Sequence, residues 1–217
     1  MEMMKLMEER HSVRQYEDKR IEDEKRKVLV DEIEKINRET GLHVQIFFDE
    51  PKCFNSLMAH YGKFTGVKNY IALVGKKGSN LDEKCGYYGE QLVLLAQSLG
   101  LNTCWVAMTH GKSAAVIESG EKQACLIALG YGKTQGAAHT SKPLDKLTSV
   151  NGTMPGWFKK GMQAVMSAPT AMNQQKFVFT LNGDQVSAKV SGPAFYTKMD
   201  LGIVKYHFEA VTGKKVD

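Results

Sequence analysis

Two short runs of this 217-residue chain carry the side chains that could do chemistry. The first is Glu9-Arg10-His11-Ser12-Val13-Arg14, where two guanidinium groups flank an imidazole and a hydroxyl. Arginine can grip phosphate oxygens through two parallel hydrogen bonds, so this run suits an anionic ligand. Taken alone, it suits a solvated basic turn equally well. The second is Ser167-Ala168-Pro169-Thr170-Ala171-Met172-Asn173-Gln174-Gln175-Lys176-Phe177. Its small residues let backbone amides approach a ligand, and Asn173, Gln174 and Gln175 offer both donors and acceptors. A well-capped structural turn is the competing reading. Cys53, Cys85, Cys104 and Cys125 lie far apart, with no spacing suited to a metal site.

Periodicity supplies the elements that must position these runs. Trp157, Phe158, Gly161, Met162, Val165 and Met166 recur at helical spacing, and Pro169 stops that helix just before the second run. Beyond it, residues 176–181 read as a strand, Asn182-Gly183 as a two-residue turn and residues 185–190 as the returning strand. A short helix over residues 3–9 precedes the first run. Another, over 22–39, follows it with Leu29, Ile33 and Ile36 on one face and Gly41 as terminator. Residues 44–48 and 70–74 read as strands. Gly75-Lys76-Lys77-Gly78-Ser79 lacks the ending of a phosphate loop and a helix behind it, and reads as a turn. Residues 86–99 form a helix whose second half, Leu92-Val93-Leu94-Leu95-Ala96, is apolar on every side and must be buried all round. Residues 104–108 and 124–130 are extended. This irregular alternation with a late hairpin predicts an α+β fold, with a mixed, mainly antiparallel sheet flanked by helices and a central buried helix. Helix 157–167 and strand 176–181 echo helix 22–39 and strand 44–48. Two related helix-strand units, about residues 20–50 and 155–190, would thus share one sheet.

Composition sets wider bounds. With 42% hydrophobic and 24% charged residues, the chain is long enough for a single domain over 1–217 with a real core. The net charge is +5, yet acids and bases are interspersed, as in Glu22-Asp23-Glu24-Lys25-Arg26-Lys27, which argues against a nucleic-acid stripe. A mild positive excess suits a small anion or a phosphate-bearing cofactor. No apolar run approaches the roughly 20 residues of a membrane span, so a soluble, cytoplasmic protein is expected.

Taken together, the two runs resemble a known family. Arg10-His11-Ser12-Val13-Arg14 resembles the Arg-x-Ser-x-Arg/Lys signature of FMN-dependent nitroreductases, and Ala168 to Phe177 resembles their Ala-Pro-Ser-x-x-Asn-x-Gln-Pro-Trp segment. Leu99-Gly100-Leu101-Asn102-Thr103-Cys104-Trp105 and Ile127-Ala128-Leu129-Gly130-Tyr131-Gly132 are similar to two further stretches, in the family's order. The Ala-Pro segment usually follows the arginines by a few tens of residues, a slot held here by Thr40-Gly41-Leu42-His43. Its late position, and an ending like Met199-Asp200-Leu201-Gly202-Ile203-Val204-Lys205-Tyr206-His207-Phe208, resemble an atypical branch of that superfamily.

The resemblance implies a nitroreductase-like fold and an FMN oxidoreductase that uses NADH or NADPH to reduce nitroaromatics, quinones or related acceptors. The alternative is a flavin-binding protein without significant turnover. Arg10 and Ser12 would bind the FMN phosphate beside His11, and Arg14 would sit near the ribityl chain or pyrimidine edge. Pro169, Thr170, Ala171 and Asn173 would line the ring. Val106 and Ala107 match the backbone beside flavin N5, where many relatives carry a glutamate and a glycine. Ser141 and Lys142 are candidates for a second phosphate contact. No side chain would act as nucleophile or metal ligand, since the chemistry belongs to the flavin. A homodimer is implied, with a monomer built as an internal pseudo-dimer as the alternative.

Overall fold

In the middle of the chain hydrophobicity has no polar phase. Tyr70 to Val74 and Cys125 to Leu129 are buried throughout, as strands covered on both faces must be. The computed structural model describes residues 2–217, which divide into two compact units. A middle unit takes residues 10–81 and 91–137; a terminal unit takes the N-terminal stretch through Glu9, 82–90 and 138–217.

The middle unit is built on four antiparallel strands: β1 (Gln45–Phe47), β2 (Asn69–Lys76), β3 (Asn102–Val106) and β4 (Glu121–Gly130), in the order β1-β2-β4-β3. Alternation places Tyr70, Ala72, Val74, Leu126 and Ala128 in one core with Phe54 and Phe64. On another cluster Leu129 meets Leu29 of α2 (Asp23–Thr40) and Ala96 of α4 (Leu81–Ser98). α2 opens with Asp23 and Glu24 against its positive end and closes on Gly41, whose left-handed φ of 69° lets its N–H reach Asn37 O.

α4 is the expected central helix: Leu92, Val93, Leu94 and Ala96 are shut off from solvent, while Leu95 is half-buried, so the run is not covered on every side. It starts at Leu81, five residues before the apolar pattern begins, because its first half uses Gly86 and polar side chains in the terminal unit. Gly75 and Lys76 still belong to β2, and the turn after them does lead into a helix. Asp82 and Glu83 occupy its first turn, where they would repel an anion, and this joins the missing phosphate-loop ending as a reason against a phosphate site.

The terminal unit has its own sheet. β5 (Thr148–Val150) runs parallel to β6 (Phe177–Asn182), which forms a hairpin with β7 (Gln185–Val190). The helix-strand echoes therefore lie on two sheets and not on one: β1 pairs with β2, whereas β6 closes locally on β7 across a two-residue turn, the cheapest loop available. That turn is Gly183-Asp184, one residue later than the sequence pattern suggests, because Asn182 still pairs with Gln185 and the left-handed φ of 60° falls on Gly183. Similarly, β3 covers 102–106, not 104–108.

Helices α1 (Met3–Glu9), α5 (Gly156–Met166) and α6 (Thr197–Thr212) complete the unit. Its aromatic centre joins Phe179 to Phe208 at 5.2 Å and Phe158 to Phe208 at 5.5 Å between ring centroids. Residues 82–90 of α4 cross α6 with backbone against backbone. A Cβ on Gly202 would lie 1.9 Å from Glu83 O, and one on Gly86 would lie 2.0 Å from Met199 O. Nearby, His207 is fully buried, with Nδ1 at 2.9 Å from Ala164 O and Nε2 at 2.9 Å from Glu90 Oε1. Among the described residues no helix is long and apolar enough to cross a membrane.

Candidate functional site

In the middle unit, the segment carrying the arginines is pinned by backbone. Ser12 bridges Thr103 of β3, and Val13 N–H donates to Thr103 O at 3.0 Å. Tyr16 N–H donates to Thr65 O at 2.9 Å, and Thr65 N–H to Arg14 O at 3.0 Å. Val13 and Tyr16 are drawn into the core, leaving Ser12 and His11 half-buried and Arg14 exposed. Arg10 is only 3% exposed, an unusual position for a guanidinium. The loop over residues 132–136 packs against this segment: a Cβ on Gly136 would stand 2.7 Å from His11 Cβ and 3.0 Å from Ser12 O. Asn102 fixes that loop, accepting from Gly132 N–H and donating to Gln135 Oε1, each at 2.9 Å.

The buried Cys104 ties these groups into one neighbourhood. Burial pushes its thiol up, while the Arg14 guanidinium, the Ser12 hydroxyl and Arg10 pull it down. Tyr16 lies in the same place: burial holds its phenol well above the ordinary range, Cys104 adds to this and Arg14 opposes it. The Tyr16 hydroxyl is buried with no hydrogen-bond partner among the described residues. Buried hydroxyls are nearly always satisfied, so a polar atom from outside the chain fits here. Val106 is buried in β3 and its carbonyl accepts from the Cys125 thiol at 3.2 Å; Ala107 is the first residue past the strand and half-buried.

In the terminal unit, the 167–177 run is a loop closed on itself. Met172, Asn173 and Gln175 have φ of 51°, 54° and 45°, the left-handed region that a side chain disfavours. Asn173 N–H donates to Thr170 O and Gln174 N–H to Ala171 O, both at 3.0 Å, while Gln175 N–H reaches Thr170 Oγ1 at 3.1 Å. Ser141 and Lys142 are brought against this loop. Ser141 Oγ donates to Met166 O at 2.6 Å; Lys142 N–H donates to Gln175 Oε1 at 2.7 Å, and its Nζ to the carbonyls of Gln174 and Gln175 at 2.8 and 3.0 Å. Asn173 Nδ2 and Gln175 Nε2 both donate to Thr140 O at 2.9 Å. The Asn173 amide thus already has partners on both its atoms, since its Oδ1 accepts from Gln175.

Asp200, in the first turn of α6, was not among the expected site residues. Its Oδ1 accepts from Ala171 N–H at 2.9 Å and its Oδ2 from Gln174 Nε2 at 2.6 Å. It is 4% exposed, and burial outweighs these two hydrogen bonds, lifting its carboxyl from 3.8 to about 6. Between those values the folded chain holds a proton that the unfolded chain has released. Stability from this group is therefore full below about pH 4 and falls as pH rises through 6, by on the order of 3 kcal/mol. Urea midpoints across this range, compared between the parent and Asp200→Asn, are expected to converge at low pH and diverge above pH 6 with the variant the more stable. The one sequence signal for Asp200 is a single acid inside the apolar run Met199 to Val204.

The family model described as Putative TM nitroreductase matches residues 2–212. The chain belongs to this nitroreductase family. The match takes in residues of both units, the Ala168 to Phe177 run among them. Among solved structures, a putative nitroreductase from Thermotoga maritima has a TM-score of 0.70 at 21% identity, covering 99% of this chain and 87% of that one. A putative NADH dehydrogenase/NAD(P)H nitroreductase from Bacteroides thetaiotaomicron scores 0.53 at 19% identity over 67% of this chain and 95% of that one. A putative nitroreductase in complex with FMN from Desulfovibrio desulfuricans scores 0.53 at 18% identity over 67% and 94%. At these identities the likeness is one of fold, and it bears out the mixed α+β class with antiparallel strands and helices. No curated protein matches the chain.

Proposed function

We propose that this nitroreductase-family chain binds FMN and works as an NAD(P)H-dependent oxidoreductase. The observation that carries the reading is the middle-unit cluster: a buried Arg10 beside Ser12, Arg14 and the orphaned Tyr16 hydroxyl, donors suited to a phosphate. The FMN complex of the Desulfovibrio neighbour supports it at the level of fold. When bound, FMN would supply the redox chemistry, taking electrons from NADH or NADPH and passing them to nitroaromatics, quinones or related acceptors. Arg10 and Ser12 would hold the phosphate beside His11, and Arg14 would place a cation where reduced flavin gathers negative charge. The Pro169 to Asn173 loop would contact the ring, and Val106 and Ala107 would flank N5. Lys142, hydrogen-bonded to the carbonyls of Gln174 and Gln175, and Ser141, hydrogen-bonded to Met166 O at the end of α5, would brace the loop. Small-molecule acceptors are the partners, and the assembly is a homodimer.

A second reading, a flavin-binding protein without significant turnover, is favoured by one observation. Where many relatives carry a glutamate and a glycine beside N5, this chain has Val106 and Ala107. Purified protein separates the two: both predict a yellow chain, but only the enzyme bleaches with NADH or NADPH and recovers with a nitroaromatic or quinone. Arg10→Ala is expected to weaken FMN binding about tenfold or more, the loss of one charge-assisted contact. FMN retention on dialysis equal to that of the parent would remove Arg10 from the site.

A further inference from the structure

The loop at 170–175 is over-determined. Three residues with side chains sit in the left-handed region, a conformation that persists only where the surroundings enforce it and that concentrates at functional sites. The N–H groups of Ala171, Asn173, Gln174 and Gln175 all have partners inside the terminal unit. What the loop turns outward is Met172, 85% exposed despite its apolar side chain. Asp200 is the loop's buried anionic anchor, and it grips from one helical turn both the first amide of the strained stretch and the side chain of Gln174. The same Gln174 amide donates to Phe195 O at 3.0 Å.

A carboxylate here is costly to the fold, since burial favours its neutral form. An asparagine of the same shape would avoid that cost. It would, however, offer Ala171 and Gln174 one acceptor between them and set an NH2 against the Gln174 NH2. The fold therefore keeps a destabilising charge where only two acceptor oxygens can hold the loop.

We infer that Asp200 is a positioning residue for ligand binding, its carboxylate holding the 170–175 loop in the strained conformation in which it contacts the flavin ring. The inference rests on the FMN reading above. A residue that merely packs α6 would destabilise the chain when changed; a positioning residue of this kind does the reverse.

The test uses the full-length chain and its Asp200→Asn variant at pH 7.5. Three results are expected: an equal or higher thermal midpoint, faster hydrogen exchange at the Ala171 amide in the FMN-free protein, and FMN affinity reduced about tenfold. Gln174→Met, which removes one loop-side donor and leaves the carboxylate, is expected to weaken FMN binding in the same direction by a smaller factor. A lowered thermal midpoint with unchanged exchange at Ala171 would make Asp200 a packing residue and overturn the inference. So would unchanged FMN affinity in both variants of a chain that itself takes up FMN. Should the parent take up no FMN, the flavin reading fails separately, and faster or unchanged exchange at Ala171 still upholds or overturns the anchoring role.

Discussion

Gly202→Ala is expected to lose about 3 kcal/mol or more of folding stability, at the top of the range for overpacked sites, and to lower the yield of folded chain. The new methyl would lie 1.9 Å from Glu83 O and 2.7 Å from Tyr87 N, both backbone atoms of α4. No rotamer change relieves such a clash, because nothing on either side is a flexible side chain. The helices would have to separate, and with them the ion pair of Lys205 with Glu83 at 2.8 Å and the hydrogen bond of Tyr87 to Glu209 at 2.9 Å. Alanine has the better intrinsic helix propensity by about 1 kcal/mol, so propensity alone predicts the opposite sign. Chemical denaturation of this variant, with Gly156→Ala as a control where a Cβ meets nothing, decides between them.

Glu90→Ala is expected to cost about 3–5 kcal/mol, the range for breaking a buried pair, whereas Glu90→Gln stays within about 1 kcal/mol of the parent. Ala164 O can only accept, so His207 Nδ1 carries a hydrogen and donates to it. At Nε2 the 2.9 Å contact with Glu90 Oε1 needs one hydrogen between the two atoms. A glutamine amide donates to Nε2 in the same place; alanine leaves that nitrogen buried and a cavity beside it. Urea unfolding of both variants, at equal protein concentration, gives the two numbers. Equal losses would mean that shape and not the hydrogen bond is what Glu90 supplies.

The fold was legible where burial is uniform. An apolar run such as Tyr70 to Val74 has one explanation, and so has Leu92 to Ala96; both elements lie where the residues demand. Pro169 and Gly41 ended their helices as their backbones require. What hydrophobicity could not reveal is the first half of α4, whose register is set by Gly86 against Met199 O, a backbone contact that leaves no apolar trace. The division of the strands between two sheets was equally hidden, since strand pairing is a long-range choice and a helix-strand echo is local. At the candidate site, the two runs could be singled out because Arg, Ser and Asn carry their chemistry in their names. Asp200 could not, because a carboxylate inside Met199 to Val204 reads as an interruption until the loop it holds is seen. Tyr16 was hidden for the opposite reason: by type it belongs in a core, and only the missing partner of its hydroxyl sets it apart.

The division into units has an optical consequence. The chain has two tryptophans; Trp105 lies in β3 of the middle unit and Trp157 in α5 of the terminal unit, where its ring meets Phe158 and Phe208 at 5.8 and 6.4 Å. Each unit therefore carries its own fluorophore, and Trp105→Phe and Trp157→Phe variants turn the emission of the remaining indole into a separate melting curve for the unit that holds it.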